Sequence, residues 1–381
     1  MDINYEKRIF GLDIMRAVAI LLVVFSHAIW ILPQSKSLLT DLMSLAGVMG
    51  VEIFFVLSGF LIGRILYKLY VREDFNFKDI QYFWIRRWFR TLPNYYLILI
   101  VNIVLALFLG TDLPEHLGRY FLFLQNFTTE MPSFFGESWS LPIEEFAYII
   151  GPLFLYLILF LRIKVSKRAM FLFVTLLVIA IFIITKCVYN SNDTIKDMIF
   201  WNVNLKAMTI YRIDAIYYGV LAAWLSMVFP KNWSRFKWLF LMIGGVIFVG
   251  MNIMITLKQI FIESHSFFWN VLYLPLNSIA IAFTLPLLFN IKSAAKPMLI
   301  PVTYISVISY SMYLLHYSVV LRLMKQYFPS EGLSKFGTMS YVLIYFLLTI
   351  VLSYILYRLF ERPMMDIRDK ESIKQRFDHR S

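Results

Sequence analysis

Apolar runs of about 20 residues recur ten times along the chain, near 12–31, 46–67, 91–110, 139–161, 169–189, 210–229, 239–257, 268–290, 303–324 and 339–360. At about 1.5 Å per residue, such a run matches a hydrocarbon core of about 30 Å. The pattern predicts an all-α integral membrane protein with about ten transmembrane helices. The connections are too short for a second domain, and no internal repeat or low-complexity tract breaks the series. The segment 75–90, FNFKDIQYFWIRRWFR, mixes aromatics with arginines and is expected to form an interfacial helix leading into the third span. The 111–138 connection holds its own aromatic stretch, YFLFLQNF, expected to lie along the membrane or re-enter it.

Composition agrees with this reading: of 381 residues 60% are hydrophobic and 16% charged, against about 25% charged in soluble domains. A net charge of +12 would point to nucleic acid in a soluble protein, but here the positions of the charges matter more than their sum. With the N-terminus inside, 25 of the 36 lysines and arginines fall on segments of that side, 9 on the other, and Arg16 and Arg212 within spans. The positive-inside rule then predicts both termini in the cytoplasm, with membrane lipid and not nucleic acid as the partner. Cys187 is the single cysteine, which excludes an intrachain disulfide and a cysteine-rich metal site; no metal is expected. Lys7 and Arg8 before an apolar run imitate a signal peptide. The run is too long, however, and lacks a small-x-small cleavage site, so a retained first span is expected.

That first span, GLDIMRAVAILLVVFSHAIWI, carries Arg16 and His27. An ionisable residue inside a spanning helix costs roughly 2.5–3.5 kcal/mol and usually faces a bundle interior, a cavity or a partner. Eleven helical steps bring the two residues back to within about 20° of each other, roughly 16 Å apart along the axis. His27 lies near the outer end. The predicted topology brings Glu52, Glu144, Glu145, Arg212, Asp214 and His316 to the same outer level, and Arg86, Arg87 and Arg90 to the inner level of Arg16. Guanidinium groups bind phosphates and stay charged, while imidazole accepts a proton from a hydroxyl when a carboxylate orients it. The arrangement suits a reaction whose anionic donor is held from inside and whose acceptor arrives from outside.

Plainer readings stand beside these. His27 and His316 could each be satisfied by a helix–helix hydrogen bond, and RRWFR could be a positive-inside anchor with an aromatic belt. Glu144 and Glu145, about 100° apart on a helix, cannot point the same way, so one of them is interfacial or structural. Arg212 and Asp214 read best as a structural ion pair. Gly47, Gly50, Gly59 and Gly63 are expected to permit close helix packing.

These residues carry a family resemblance. The Arg16 and His27 spacing within GLDIMRAVAILLVVFSH resembles the arginine, ten residues, histidine signature of the acyltransferase-3 family of membrane-bound O-acyltransferases. GVEIFFVLSGFLIGRIL, RRWFRTLP with Arg87 and Arg90 in R-x-x-R positions, SWSLPIEEFAYIIGP, YRIDAIYYGVLAA, ISYSMYLLH and FERP resemble its further motifs, in its order, from Gly11 to Pro363. The resemblance implies an acyltransferase domain over 1–363 and a charged cytoplasmic tail over 364–381. It implies transfer of an acyl group, commonly acetyl, from cytoplasmic acyl-CoA to a hydroxyl of a surface or lipid-linked glycan at the outer face of a bacterial cytoplasmic membrane. His27, Glu144 and Arg16 would be the catalytic set, with His27 as base or relay and Glu144 as its carboxylate partner. Arg86, Arg87 and Arg90 would hold the donor. Phe146 and Ala147 stand where the family more commonly has glutamine and an aromatic residue. Some relatives append an extracytoplasmic esterase-like domain that this sequence lacks, so the chain is expected to act alone or to hand the acyl group to a separate glycan-modifying protein. The alternative is a proton-coupled transporter of a small polar or anionic solute, with the buried histidines and glutamates as a relay and Arg16 as a substrate ligand. A scaffold or sensor without catalysis is the third reading.

Overall fold

The computed structural model describes residues 5–32, 37–161, 164–192 and 197–371. In chain order its long helices are α1 (Phe10–Trp30), α2 (Leu38–Tyr70), α3 (Phe77–Phe108), α4 (Gly136–Leu161) and α5 (Lys167–Asn192), then the shorter α6 (Asp214–Val228), then α7 (Lys237–Leu257), α8 (Phe268–Asn290), α9 (Lys296–Tyr327) and α10 (Lys335–Arg368). Nine of these, all but α6, are long and apolar enough to span a membrane, and the described residues contain no strand. The sixth expected span is thus only 15 residues long, short of the roughly 20 that hydrocarbon requires. A tight 3-10 turn over Thr209–Tyr211 precedes it. α6 tolerates this because it lies almost wholly inside the protein, from Asp214 through Ala223.

The centre of the bundle is α2, packed against α1 on one side and α6 on the other. Small residues make both contacts possible. A Cβ on Gly50 would meet the Ala19 carbonyl of α1, and one on Gly59 would lie 1.8 Å from the Ile216 carbonyl of α6. Gly219 faces the Val56 carbonyl just as closely from the α6 side. Gly47 and Gly63 sit against Ser26 and Val220, so all four glycines of α2 serve close packing as expected. The outermost helices show the opposite pattern. Trp238, Met242, Val246 and Val249 of α7, and Phe336, Met339, Leu343 and Leu347 of α10, are exposed, an apolar flank suited to lipid and not to water.

The expected interfacial helix and the third span are one continuous 32-residue helix, α3, begun by a capping box in which Asn76 and Asp79 bond each other's backbone N–H ends of the first turn. The 111–138 connection folds back into the bundle. Tyr95 donates to the Tyr120 carbonyl at 2.8 Å and packs on Phe123 and Phe135. Asn126 is fully buried and donates to the Trp139 carbonyl at 2.8 Å, and Thr209 N–H bonds the Asn126 carbonyl at 3.0 Å. At the other end of the chain α10 continues through Arg368, so position 363 marks no structural break. Residues 372–381 of the expected tail, with Lys374, Arg376 and Arg380, lie outside the described residues, as does Arg162.

Candidate active site

Two cavities open along α1, one at its Arg16 end and one at its His27 end. The first, about 720 Å³, is lined by Arg16 of α1, Ser58 of α2, Arg87, Arg90 and Thr91 of α3, Ser140 and Glu144 of α4, and Tyr310 of α9, with Phe54, Phe55 and Leu57 among its apolar walls. Tyr148, one helical turn beyond Glu144, organises its polar side. The Tyr148 hydroxyl donates to Glu144 Oε2 at 2.6 Å, accepts from Arg87 at 2.5 Å and bonds the Ser58 hydroxyl. Its ring lies 4.3 Å beneath the Arg87 guanidinium. Arg16 is steadied by Ser306 at 3.2 Å and by Asp13 at 3.5 Å. Arg90 makes no hydrogen bond or ion pair with the described residues. Three guanidinium groups line this cavity against the single lining carboxylate of Glu144, with Asp13 offsetting Arg16 from behind, an excess of positive charge of the kind that suits an anion.

Arg86 does not belong to it. Its guanidinium turns outward to the Tyr82 hydroxyl at 3.1 Å and to Asp369 at 3.5 Å, with 44% of the side chain exposed. Arg86 and Arg87 are neighbours about 100° apart on the helix, whereas Arg87 and Arg90 share a face.

The second cavity is larger, about 1730 Å³ of open space, and is lined by His27, Glu137, Asp41, Asn202, Lys206, Asn252 and Tyr273, together with four tryptophans, Trp30, Trp139, Trp201 and Trp269. Behind His27 stands His316, fully buried, with its Nε2 3.2 Å from His27 Nδ1 and the two rings edge to face. His316 Nδ1 is 2.8 Å from the Tyr313 carbonyl and 3.1 Å from that of Met312. Carbonyls only accept, so this nitrogen carries the proton and His316 Nε2 is the acceptor. His27 Nδ1 faces the Val23 carbonyl at 2.9 Å and by the same rule is an N–H, shared with His316. The remaining nitrogen, His27 Nε2, is the basic one. A single-turn π-helix over His316–Leu321 interrupts α9 at this point, as such turns often do at functional sites.

Glu144 does not line this cavity, whose buried carboxylate is Glu137. Glu137 is buried; its Oε1 accepts from Ser318 N–H at 3.1 Å and from its hydroxyl at 2.6 Å, while Oε2 is buried with no partner among the described residues. α4 starts at Gly136, earlier than expected, which sinks Glu144 about two turns, or roughly 10 Å, below Glu137 on nearly the same face. Glu144 therefore joins the arginines and stands apart from His27. Glu137 was missed because it precedes the apolar run; its only signal was an acid directly before SWS. Glu145 turns away and accepts from Thr91 at 2.9 Å, in line with the divergence expected of the two neighbours. Lys206, also unanticipated, holds its ammonium 5.4 Å over the Trp139 ring and forms no hydrogen bond or ion pair with the described residues. Burial and the nearby Arg212 cation bring it down to about 8.

Glu52, Arg212 and Asp214 line neither cavity. The expected Arg212–Asp214 pair is not made. Arg212 pairs with Glu52 of α2, which also accepts from Ser278 of α8 at 2.9 Å. Asp214 pairs at 2.5 Å with Lys186 of α5, and both side chains are buried. The four charges balance and tie α2, α5, α6 and α8 together.

The two cavities share a wall. Val51 of α2 and Tyr313 of α9 line both. Along α9 the steps are regular: Tyr310 faces the arginine cavity, Tyr313 faces both, and His316 touches His27.

The chain belongs to the acyltransferase-3 family, whose acyltransferase domain profile matches residues 9–358. With its spanning helices, this makes it a multi-pass membrane protein. It is similar to Peptidoglycan O-acetyltransferase OatA of Listeria monocytogenes, 30% identical over 40% of this chain and 25% of that protein. It is similar to a protein of Bacillus subtilis named "Putative peptidoglycan O-acetyltransferase YrhL", 35% identical over 40% of this chain and 24% of that one. A Staphylococcus aureus protein named "Putative O-acetyltransferase" is 27% identical over 97% of this chain and 59% of its own length. The chain thus spans 59% of the length of the Staphylococcus aureus protein and about a quarter of the other two. No solved structure matches it.

Proposed function

We propose that the protein transfers an acyl group, acetyl in the first instance, from cytoplasmic acyl-CoA to a hydroxyl of a cell-surface or lipid-linked glycan at the outer face of a bacterial cytoplasmic membrane. The observation that carries this reading is the pairing of an arginine-lined cavity and a histidine- and tryptophan-lined cavity along one helix, divided by a common wall. The names of these relatives, O-acetyltransferase in each and peptidoglycan O-acetyltransferase in two, support it. The excess of lysines and arginines on the side of the termini supports the orientation, with Arg16, Arg87 and Arg90 facing the cytoplasm.

In this reading the arginines bind the phosphates of the donor, and the tryptophans offer flat apolar faces on which a sugar ring stacks. His27 Nε2 takes the proton of the acceptor hydroxyl as its oxygen attacks the thioester carbon. The C–O bond forms and the C–S bond breaks; His27 returns the proton to the departing thiolate. Lys206 and Glu137 line the same cavity as His27, and in this reading they answer charge that develops on the reacting groups. Acyl-CoA is a substrate here, and a separate glycan-modifying protein is an alternative recipient of the acyl group.

The test is His27→Ala in cells, with base-released acetate measured on the surface glycan. Loss of the ester at normal protein level is expected. Unchanged ester content would sink the assignment, and proton-driven solute uptake without ester formation would favour a transporter instead.

A further inference from the structure

Arg16 and His27 are separated by roughly 16 Å of helix, so a donor whose phosphates rest on the arginines must send its thioester toward the histidine. Only one stretch of wall faces both sides. Val51 and Tyr313 line both cavities, and each is less than 9% exposed. The Tyr313 hydroxyl donates to the Glu137 carbonyl at 2.7 Å and is met at 2.7 Å by Ser140, a residue of the arginine cavity. Its ring lies 6.2 Å from Phe54 of the same cavity and 5.9 Å from His316 behind the base. Tyr313 is thus bonded to both sides of the partition, and Val51 is the apolar side chain that lines both cavities with it.

Resting on the acyl-CoA reading above, we propose that the acyl thioester reaches His27 between Val51 and Tyr313, and that these two residues select the acyl chain by its size. A narrow apolar aperture next to a hydrogen-bonded tyrosine admits an acetyl group and rejects longer chains, because each added methylene must displace packed atoms.

The test uses the full chain in lipid nanodiscs for CoA binding, and membranes of expressing cells supplied with acetyl-, propionyl- or butyryl-CoA, from which base-released acids are quantified. Val51→Ala is expected to raise the butyryl to acetyl transfer ratio by about 10-fold or more, the scale of one or two methylenes in an apolar pocket. Val51→Trp is expected to cut acetyl transfer about 100-fold at an unchanged protein level in the membrane, the cost of misplacing a reacting group by an ångström or so. An unchanged acyl preference in Val51→Ala overturns the proposal. So does normal acetyl transfer by Val51→Trp. Failure of the unmodified protein to bind CoA overturns the donor reading instead, which separates the two.

Discussion

His316 holds its Nε2 3.2 Å from Nδ1 of His27, and its own Nδ1 is held by two carbonyls of the preceding turn. The pair therefore fixes which nitrogen of His27 is basic, a task given in many enzymes to a carboxylate. His316 acts through His27. His316→Ala is expected to lower kcat about 10- to 100-fold, as loss of an orienting partner does, with little change in the KM for acyl-CoA. His316→Gln, whose amide oxygen can accept from His27, should recover part of the loss. A change confined to KM would contradict this role.

Arg90 lines the arginine cavity with no hydrogen bond or ion pair among the described residues, and Arg86 is bonded outside it. Arg90→Ala should raise the Kd for CoA about 10- to 100-fold, the range for a hydrogen bond to a charged group. Arg86→Ala should leave it within about 2-fold, as for other surface positions. Titration of both variants with CoA in nanodiscs separates them; equal losses would refute the division.

Lys206 carries its charge below about 8 and is neutral above it, because burial and Arg212 disfavour the ammonium. If that charge serves the reaction, acyl transfer falls as pH rises through about 8, and Lys206→Met lacks this descending limb. The linkage has the opposite sign. Between about 8 and the ordinary lysine value the unfolded chain binds more protons than the folded one, so this group's contribution to stability rises with pH over that window. A pH–rate profile and a pH series of thermal melts read the two effects separately.

Glu52→Gln leaves the Arg212 guanidinium buried without its counter-charge. The expected cost is about 3–5 kcal/mol, seen as a large fall in unfolding temperature in detergent. Removing both partners, as Glu52→Leu with Arg212→Leu, should restore much of it. Activity that is lost in the double variant while stability is restored would show that the pair has a chemical role.

The helices were legible in the sequence because hydrocarbon leaves little choice of segment length. Depth was legible too, and it correctly separated Arg16 and Arg87 from His27. Direction around each helix axis was not. Depth alone put Glu144 beside His27, but the early start of α4 gave that level to Glu137. The same limit hid the exchange of partners among Glu52, Lys186, Arg212 and Asp214, which depends on which way four side chains turn. Lys206 was invisible for another reason: it lies in a connection, and only the fold brings it over Trp139.

The contact of Gly59 with Ile216 and of Gly219 with Val56 is backbone against backbone. Two main chains in such contact have no side-chain slack to take up, so α2 and α6 cannot slide or tilt past each other without collision. α1 is seated on the same helix through Gly47 and Gly50. Together these three form a fixed frame, and against it α9 sets Tyr313 and a π-helical turn at the wall the two cavities share.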